Sequence, residues 1–541
     1  MTQRHAGTIA VLALLVVCGF FYFPGHTFLH SDTQIYIPIL EHLRDPALFP
    51  KDMVAQRPHV SYTIYDETAL ALRALTGLEF RYVLHAQQIV FRVCGLSGVF
   101  LMGRSLGFSW MMAVLLASIY GLGGTIGGPS VLIHEYEPVP RGFAGALAMF
   151  AVGLISVGRW RWGGIALAGA VLYHPPTTYP LFLGLSAYAL YKREFRWVAP
   201  AAAGVVLAFV LHKLQAGHTE PQKFLGTIDA PLEKLQRLRG SYNWISMWGA
   251  QWIRHHQFAA LVCAAALWRL RPPQPLRWIW ISLPLVGVLC MPAAYLLLDV
   301  AKWQFMPQFQ PLRAVLFIPM IAGLASAACA IQAGRHRRWW EAFAWFAIAF
   351  AIPAQSDVLQ LLLPDWRDPE LRGRALVVLA LAALAASAAR WETERRAVAI
   401  ACLVLALFAP FHAYTEIGKV RNYRNQDQPE VRELAAWARA NTPVEAVFLF
   451  PAADAALYPG FFRAYSLRNV YVDWKGGGQV NLLREFAVEW WDRWTRATAK
   501  GKDLAYYGTL GIDYVVYPKP SRPAGAAPVW ENSGYAAYTA K

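Results

Sequence analysis

The chain runs to 541 residues, of which 56% are hydrophobic, 14% aromatic and only 16% charged, with a mean hydropathy of +0.31. A soluble domain carries about 25% charged residues, so this composition excludes an ordinary water-soluble protein and points to a bilayer. The formal net charge of +16 does not indicate nucleic acid, because Lys and Arg stand in short clusters between apolar runs and build no basic stripe.

In chain order, apolar runs occupy 7–24, 84–103, 108–126, 141–158, 163–174, 177–191, 197–214, 257–270, 278–298, 312–332, 338–354, 373–389 and 397–414. They read as an α-helical polytopic membrane protein with about 13 transmembrane helices. The stretch 163–191 is interrupted by His174-Pro175-Pro176. It reads as two short helices meeting at a turn, or else as one kinked helix or a re-entrant pair. All six cysteines, Cys18, Cys94, Cys263, Cys290, Cys329 and Cys402, sit in or beside apolar runs without metal-type spacing, so neither disulfides nor thiolate zinc is expected. Val17 is a poor residue to precede a lipoprotein cleavage site, and 7–24 reads as a retained first span.

Loop charge orients this thread. With the N-terminus inside, inner loops hold Arg4, Arg104, Arg159 and Arg161, then Lys192, Arg193 and Arg196. Later ones hold Arg269, Arg271 and Arg277, then Arg335, Arg337 and Arg338, then Arg390, Arg395 and Arg396. The short outer loops are nearly free of Lys and Arg. That contrast places the N-terminus in the cytoplasm and the rest in a plasma or bacterial inner membrane.

Three outer segments are long. The first, 25–80, carries amphipathic stretches at 35–43 and 64–75 suited to an interface. The second, 216–256, is rich in aromatics, including Tyr242, Trp244, Trp248 and Trp252. The division is a membrane domain over 1–417 and a periplasmic or extracytoplasmic α/β domain over 418–541. In the latter, 429–440 and 480–494 have helical spacing, and 444–450, 470–472 and 514–517 read as strands. Gly476-Gly477-Gly478 follows no strand-to-helix phosphate pattern and reads as a flexible turn.

Polar groups that apolar composition does not explain gather on the outer side. In His30-Ser31-Asp32, Asp32 reads either as a helix N-cap or as a carboxylate general base near the membrane face. His134-Glu135-Tyr136-Glu137-Pro138-Val139-Pro140-Arg141 puts four ionisable groups at a membrane edge. They either form interfacial salt bridges, Glu137 with Arg141 at helical spacing, or line a wet cavity. His174-Pro175-Pro176-Thr177-Thr178 is either a plain turn or a polar contributor to a site. In Gln310-Pro311-Leu312-Arg313, Arg313 either clamps a phosphate or snorkels to lipid headgroups. His134 with Glu135 and Glu137 leaves a divalent metal open, although His-Glu-x-Glu is not a zinc spacing.

This arrangement resembles the GT-C class of membrane glycosyltransferases, which use polyprenyl-phosphate-linked sugars. The resemblance lies in the cytoplasmic N-terminus, the long first outer loop with an acid just after the first span, the many spans and the outer C-terminal domain. His30-Ser31-Asp32, Glu137 through Arg141 and Gln310-Pro311-Leu312-Arg313 stand where that class places active-site groups. The stretches Phe462-Arg463-Ala464-Tyr465-Ser466 and Arg468 through Lys475 are similar to bacterial membrane proteins of this layout. The chain has no Asp-x-Asp, and its Trp490-Trp491-Asp492 falls in an amphipathic helix where packing is its natural role.

The resemblance implies inverting transfer of a sugar from a polyprenyl-phosphate donor to an envelope glycan, lipid or protein. Asp32 would be the base, with Arg313 and Arg141 stabilising the leaving phosphate. His30, His134, Glu135, Glu137, His174 and Gln310 would bind substrate or orient the base. A lipid or glycan transporter and a non-catalytic envelope scaffold are the rival classes. The first would favour charges deep within spans, where this chain has few.

Overall fold

The computed structural model describes residues 3–21, 24–57, 63–215, 225–354, 369–389, 428–499, 503–523 and 525–540. The expected span at 397–414, the cluster Arg390, Arg395 and Arg396, and the expected boundary at 417/418 lie outside the described residues. Each expected apolar run up to residue 389 falls on a helix. Phe80–Ser105, Leu276–Val300, Met306–Arg335 and Arg372–Ala389 are long and apolar enough to cross a bilayer. Ala6–Phe21, Trp110–Gly121, Pro140–Ser156, Val198–Leu214 and Trp339–Pro353 are apolar but shorter. The molecule is therefore helical and multi-pass, with four helices of full span length among the described residues against about 13 expected spans. Ala250–Leu270 and Pro175–Lys192 are 21 and 18 residues long but less apolar, and other runs form shorter helices. The run at 108–126 ends its helix at Gly121, and Gly123, at φ +71°, turns the chain into a two-stranded hairpin. Its strands are β1 (Thr125–Ile126) and β2 (Val131–Leu132). The 163–191 stretch resolves into two helices, Trp160–Tyr173 and Pro175–Lys192, with His174 between them.

Close packing fixes the helix that begins at Pro140. A Cβ on Gly98 would lie 2.2 Å from the Met149 carbonyl oxygen, and one on Gly153 would lie 2.3 Å from the Gly98 oxygen. Only glycine allows Phe80–Ser105 and Pro140–Ser156 to approach backbone to backbone, the usual device where apolar helices cannot gain by leaving water. Such packing makes the start of the second helix a rigid platform. In the segment 25–80, the stretches at 35–43 and 64–75 form the helices Thr33–Arg44 and Tyr65–Thr76.

The C-terminal part builds a five-stranded mixed sheet. Its strands are β3 (Val447–Leu449), β4 (Asn469–Val470), β5 (Tyr514–Pro518), β6 (Trp530–Glu531) and β7 (Tyr535–Thr539), in the order β4-β3-β5-β7-β6. β3 runs parallel to β4 and β5, which requires crossovers. The helix Tyr458–Ser466 supplies one, and Arg484–Ala497 with Leu504–Thr509 the other. β7 runs antiparallel to β5 and β6. The expected helix at 480–494 is displaced to Arg484–Ala497, because Gly476–Asn481 forms a 3-10 helix before it and is not a loose turn. The strand at 470–472 shortens to β4, since Asp473 leaves the sheet to bond its side chain elsewhere. Trp490 is buried, stacks on Trp494 and donates from Nε1 to the Asp473 carbonyl at 3.0 Å, while Asp492 pairs with Arg496 at the surface.

A buried charge cluster joins this sheet to the segment 25–80. Arg463, on the crossover helix, donates from Nε to Asp52 Oδ2 at 2.7 Å and from Nη2 to Asp473 Oδ1. Asp52 Oδ2 also accepts the Val470 amide at 3.0 Å, and its Oδ1 caps the short helix Met53–Gln56 through Val54 at 2.9 Å. Asp473 Oδ2 accepts the Gly476 amide at 2.9 Å. These bonds pin the stretch Trp474-Lys475 against the residues that open Thr33–Arg44.

Candidate active site

The segments 25–80 and 225–256, the helix starts and the C-terminal sheet border a cavity of about 580 Å³. It lies at the start of Pro140–Ser156 and at the turn between Trp160–Tyr173 and Pro175–Lys192, the ends opposite Arg159, Arg161 and Lys192. Four cationic side chains line it, Arg141, Arg239, Arg313 and Lys475, against three carboxyl groups, Asp32, Glu135 and Glu137. Its volume falls in the usual range for small-molecule sites.

Asp32 stands at the N-cap position of Thr33–Arg44, yet its side chain makes no capping bond. Glu137 does that work from a distant loop. Its Oε1 accepts the His30 amide at 3.1 Å, the Ser31 amide at 2.9 Å and the Thr33 hydroxyl at 2.5 Å. Its Oε2 accepts the Asp32 amide at 2.7 Å. A carboxylate at a helix start satisfies orphan amides and complements the helix dipole. Because Glu137 fills that role, the Asp32 carboxylate is turned to the cavity.

There it meets two cations. Arg141 Nη1 lies 2.5 Å from Asp32 Oδ2, and Lys475 Nζ lies 2.5 Å from Asp32 Oδ1 and 2.7 Å from the Ser31 hydroxyl. The expected pairing of Glu137 with Arg141 is replaced by a fork between Arg141 and Glu135, Nε to Oε1 at 2.7 Å and Nη2 to Oε2 at 3.0 Å. Gly142 permits it, since a Cβ there would sit 2.9 Å from the Glu135 Cβ. Burial by itself raises the Asp32 pKa, but Lys475 and then Arg141 outweigh it and hold the carboxyl well below its usual range.

Arg313 approaches from the start of another helix. Gln310, at φ +51°, turns the chain, and its Oε1 accepts from Arg313 Nε at 2.9 Å. Arg313 Nη1 donates to the Ser130 carbonyl at 2.8 Å, and the guanidinium lies over the Tyr242 ring at 5.4 Å. These contacts are all with neutral groups. Arg239 resembles it: Nη2 donates to the Trp474 carbonyl at 2.5 Å and the guanidinium lies 4.0 Å above the Trp474 ring. Burial pushes Arg239 down to about 10, with Asp473 and Tyr242 opposing. Two cations without a carboxylate fork make the cavity suited to an anion. His174 bonds Thr177 Oγ1 through Nδ1 at 2.8 Å. Burial first, then Arg313 and Arg141, holds its ring well below the usual imidazole range, so it is neutral.

Of the residues expected from sequence, Asp32, Glu135, Glu137, Arg141, His174, Gln310 and Arg313 line this one cavity. His30 and His134 are not among its lining residues. His30 is held through its backbone by Glu137, and His134 lies behind the wall with Nε2 on the Tyr120 carbonyl at 2.9 Å. Among the described residues, no three His, Cys, Asp or Glu side chains gather as metal ligands. The described cysteines Cys18, Cys94, Cys263, Cys290 and Cys329 are free thiols. Tyr242 lines the cavity too, from the aromatic-rich stretch expected to cover a lipid tail or stack on a sugar, whereas Lys475, Arg239, Gln479 and Asn481 are among the lining residues that sequence reasoning did not assign to a site. The only available signals were the aromatic-basic density near Tyr242 and the Asp473-Trp474-Lys475 stretch. Tyr242 belongs to a loop fixed by Trp248 and Trp252, which pack against Gly128 and Gly127 of the hairpin, where a Cβ would meet the indoles at 2.8 and 2.6 Å.

A family model described as a domain of unknown function, DUF6798, matches residues 429–497, the part that carries Lys475, Gln479 and Asn481. No curated protein matches the chain. Among solved structures, ArnT from Cupriavidus metallidurans in the apo state aligns over 100% of this chain and 99% of its own, at 14% identity and a TM-score of 0.43. The same protein bound to undecaprenyl phosphate aligns over 99% and 98%, at 14% identity and a TM-score of 0.45. Values this low carry neither fold nor function across.

Proposed function

We propose that this chain is a multi-pass membrane glycosyltransferase, transferring a sugar from a polyprenyl-phosphate donor to the hydroxyl of an envelope glycan, lipid or protein. The observation that carries the reading is the meeting, in one cavity, of a carboxylate released from its capping role with Arg313, a cation whose contacts are neutral. The contrast between basic loops and the opposite helix ends supports an outer-face site in a bacterial inner membrane, with the C-terminal sheet outside.

In this reading the acceptor oxygen attacks the anomeric carbon as the bond from that carbon to the phosphate oxygen breaks. The electron pair leaves with the phosphate, which gains one negative charge. Attack from the opposite side of the carbon inverts its configuration. The hydroxyl proton passes to Asp32, the general base. Arg313 neutralises the growing phosphate charge, an electrostatic contribution that is commonly the largest in catalysis. Arg141 stays forked to Glu135 and orients Asp32. Glu137 acts on Asp32 through the backbone and is a positioning residue. The test is transfer of radiolabelled sugar from polyprenyl-phosphate donors by the purified chain, with Asp32→Asn as the matched variant. Full transfer by that variant would remove Asp32 as the base.

A further inference from the structure

Asp32 is held by two cations that differ in what else binds them. Arg141 is also held by a two-bond fork to Glu135, a second carboxylate that does not depend on Asp32. Among the described residues Lys475 has no second carboxylate: besides Asp32 its ammonium bonds the neutral Ser31 hydroxyl. A lysine is a point charge on a flexible stem and exchanges partners more readily than a forked guanidinium. Lys475 also lines the cavity, and its backbone is anchored from behind by the Arg463, Asp52 and Asp473 cluster. The stem can therefore swing while its root stays fixed.

We propose that Lys475, paired here with Asp32, is a phosphate-binding residue and that the donor phosphate draws it away, so that donor binding releases the base. This rests on the glycosyltransferase reading. The exchange conserves charge and protons. As the glycosidic oxygen–carbon bond breaks, the phosphate gains a negative charge, and as Asp32 takes the acceptor proton it loses one. The ammonium keeps its three protons throughout and, already on the phosphate since donor binding, meets the negative charge that develops there. Donor then binds before acceptor, because only a donor-bound site holds an unmasked base.

The test is a double-mutant cycle on binding of undecaprenyl phosphate to the full chain in lipid nanodiscs, which needs no turnover. Lys475→Met is expected to weaken binding about tenfold, the loss of one charge-assisted hydrogen bond. Asp32→Asn is expected to tighten it about tenfold in the wild-type background by freeing the ammonium, and to have no effect beside Lys475→Met. Lys475→Arg, which keeps the cation, should restore most of the affinity and controls for folding. Equal tightening by Asp32→Asn with and without Lys475 would overturn the proposal, since Arg141 or the general field would then carry the effect. Undecaprenyl phosphate binding unchanged by Lys475→Met would overturn it as well. A wild-type chain that binds no undecaprenyl phosphate at all would instead contradict the polyprenyl-phosphate reading beneath it.

Discussion

Glu137 Oε2 accepts the backbone amide of Asp32 at 2.7 Å across 105 positions of sequence. A distant carboxylate thus caps the helix that the local acid was placed to cap. The Asp32 side chain is left to the cavity, and Glu137 also holds the His30 and Ser31 amides before it.

Removing that cap has a defined consequence. Glu137→Gln keeps the shape but loses the charge that three backbone amides and a hydroxyl share. The variant is expected to lose about 1–3 kcal/mol of stability, read from thermal unfolding in detergent. Transfer activity should fall further than stability, because Asp32 is no longer fixed. An unchanged melting temperature would show that the cap is dispensable.

The Arg463 cluster is wholly buried, with one guanidinium between two carboxylates. Arg463→Met leaves Asp52 and Asp473 buried without their partner, at a cost of about 3–5 kcal/mol. Limited proteolysis should then cut the segment 25–80 or the C-terminal sheet faster than in the wild-type chain. Equal resistance would mean that other contacts hold the two together.

Acid stability follows from Asp32. Its carboxyl is held below the unfolded value of about 3.9, so its ion pairs stabilise the fold above that value. The contribution is lost as pH falls through the lower folded value. It is therefore constant between about pH 5 and pH 8. The groups facing Asp32 are Lys475 and Arg141, with Glu135 and Glu137 close by. Lys475→Met removes the larger of the two attractions and should move the acid loss to higher pH, measured as melting temperature against pH. An acid limb that does not move would contradict this assignment.

Arg313 tests the anion site separately. Arg313→Lys keeps the charge but cannot bond Gln310 and Ser130 while also facing a phosphate. Undecaprenyl phosphate affinity should fall about tenfold, measured by titration at low and physiological salt. Affinity equal to wild type would make Arg313 a structural residue only.

Much of this was legible in one dimension. Long apolar runs are strong signals, and helices lie under those up to residue 389. Polar groups at helix starts stand out against apolar surroundings, which is why Asp32, Arg141, His174 and Arg313 could be picked out before their common cavity was known. The hidden part has two physical causes. Lys475 reaches Asp32 from 443 positions away, and no local pattern encodes such a meeting. Weak strands leave weak traces: β7 reads Tyr535-Ala536-Ala537-Tyr538-Thr539, and alanine carries little strand preference. Glu135 and Glu137 show the finer limit. Spacing suggested Glu137 for Arg141, but the turn before Pro140 hands Arg141 to Glu135 and sends Glu137 to the helix start.

The most direct measurement is sugar transfer from a panel of polyprenyl-phosphate-linked donors to membrane extracts, comparing purified wild type with Asp32→Asn. The account predicts transfer by wild type and a loss of about 10²–10⁴-fold in the variant, with the variant still folded and its undecaprenyl phosphate binding no weaker than wild type. Transfer undiminished in Asp32→Asn, or none from any donor by a well-folded wild-type chain, would contradict it.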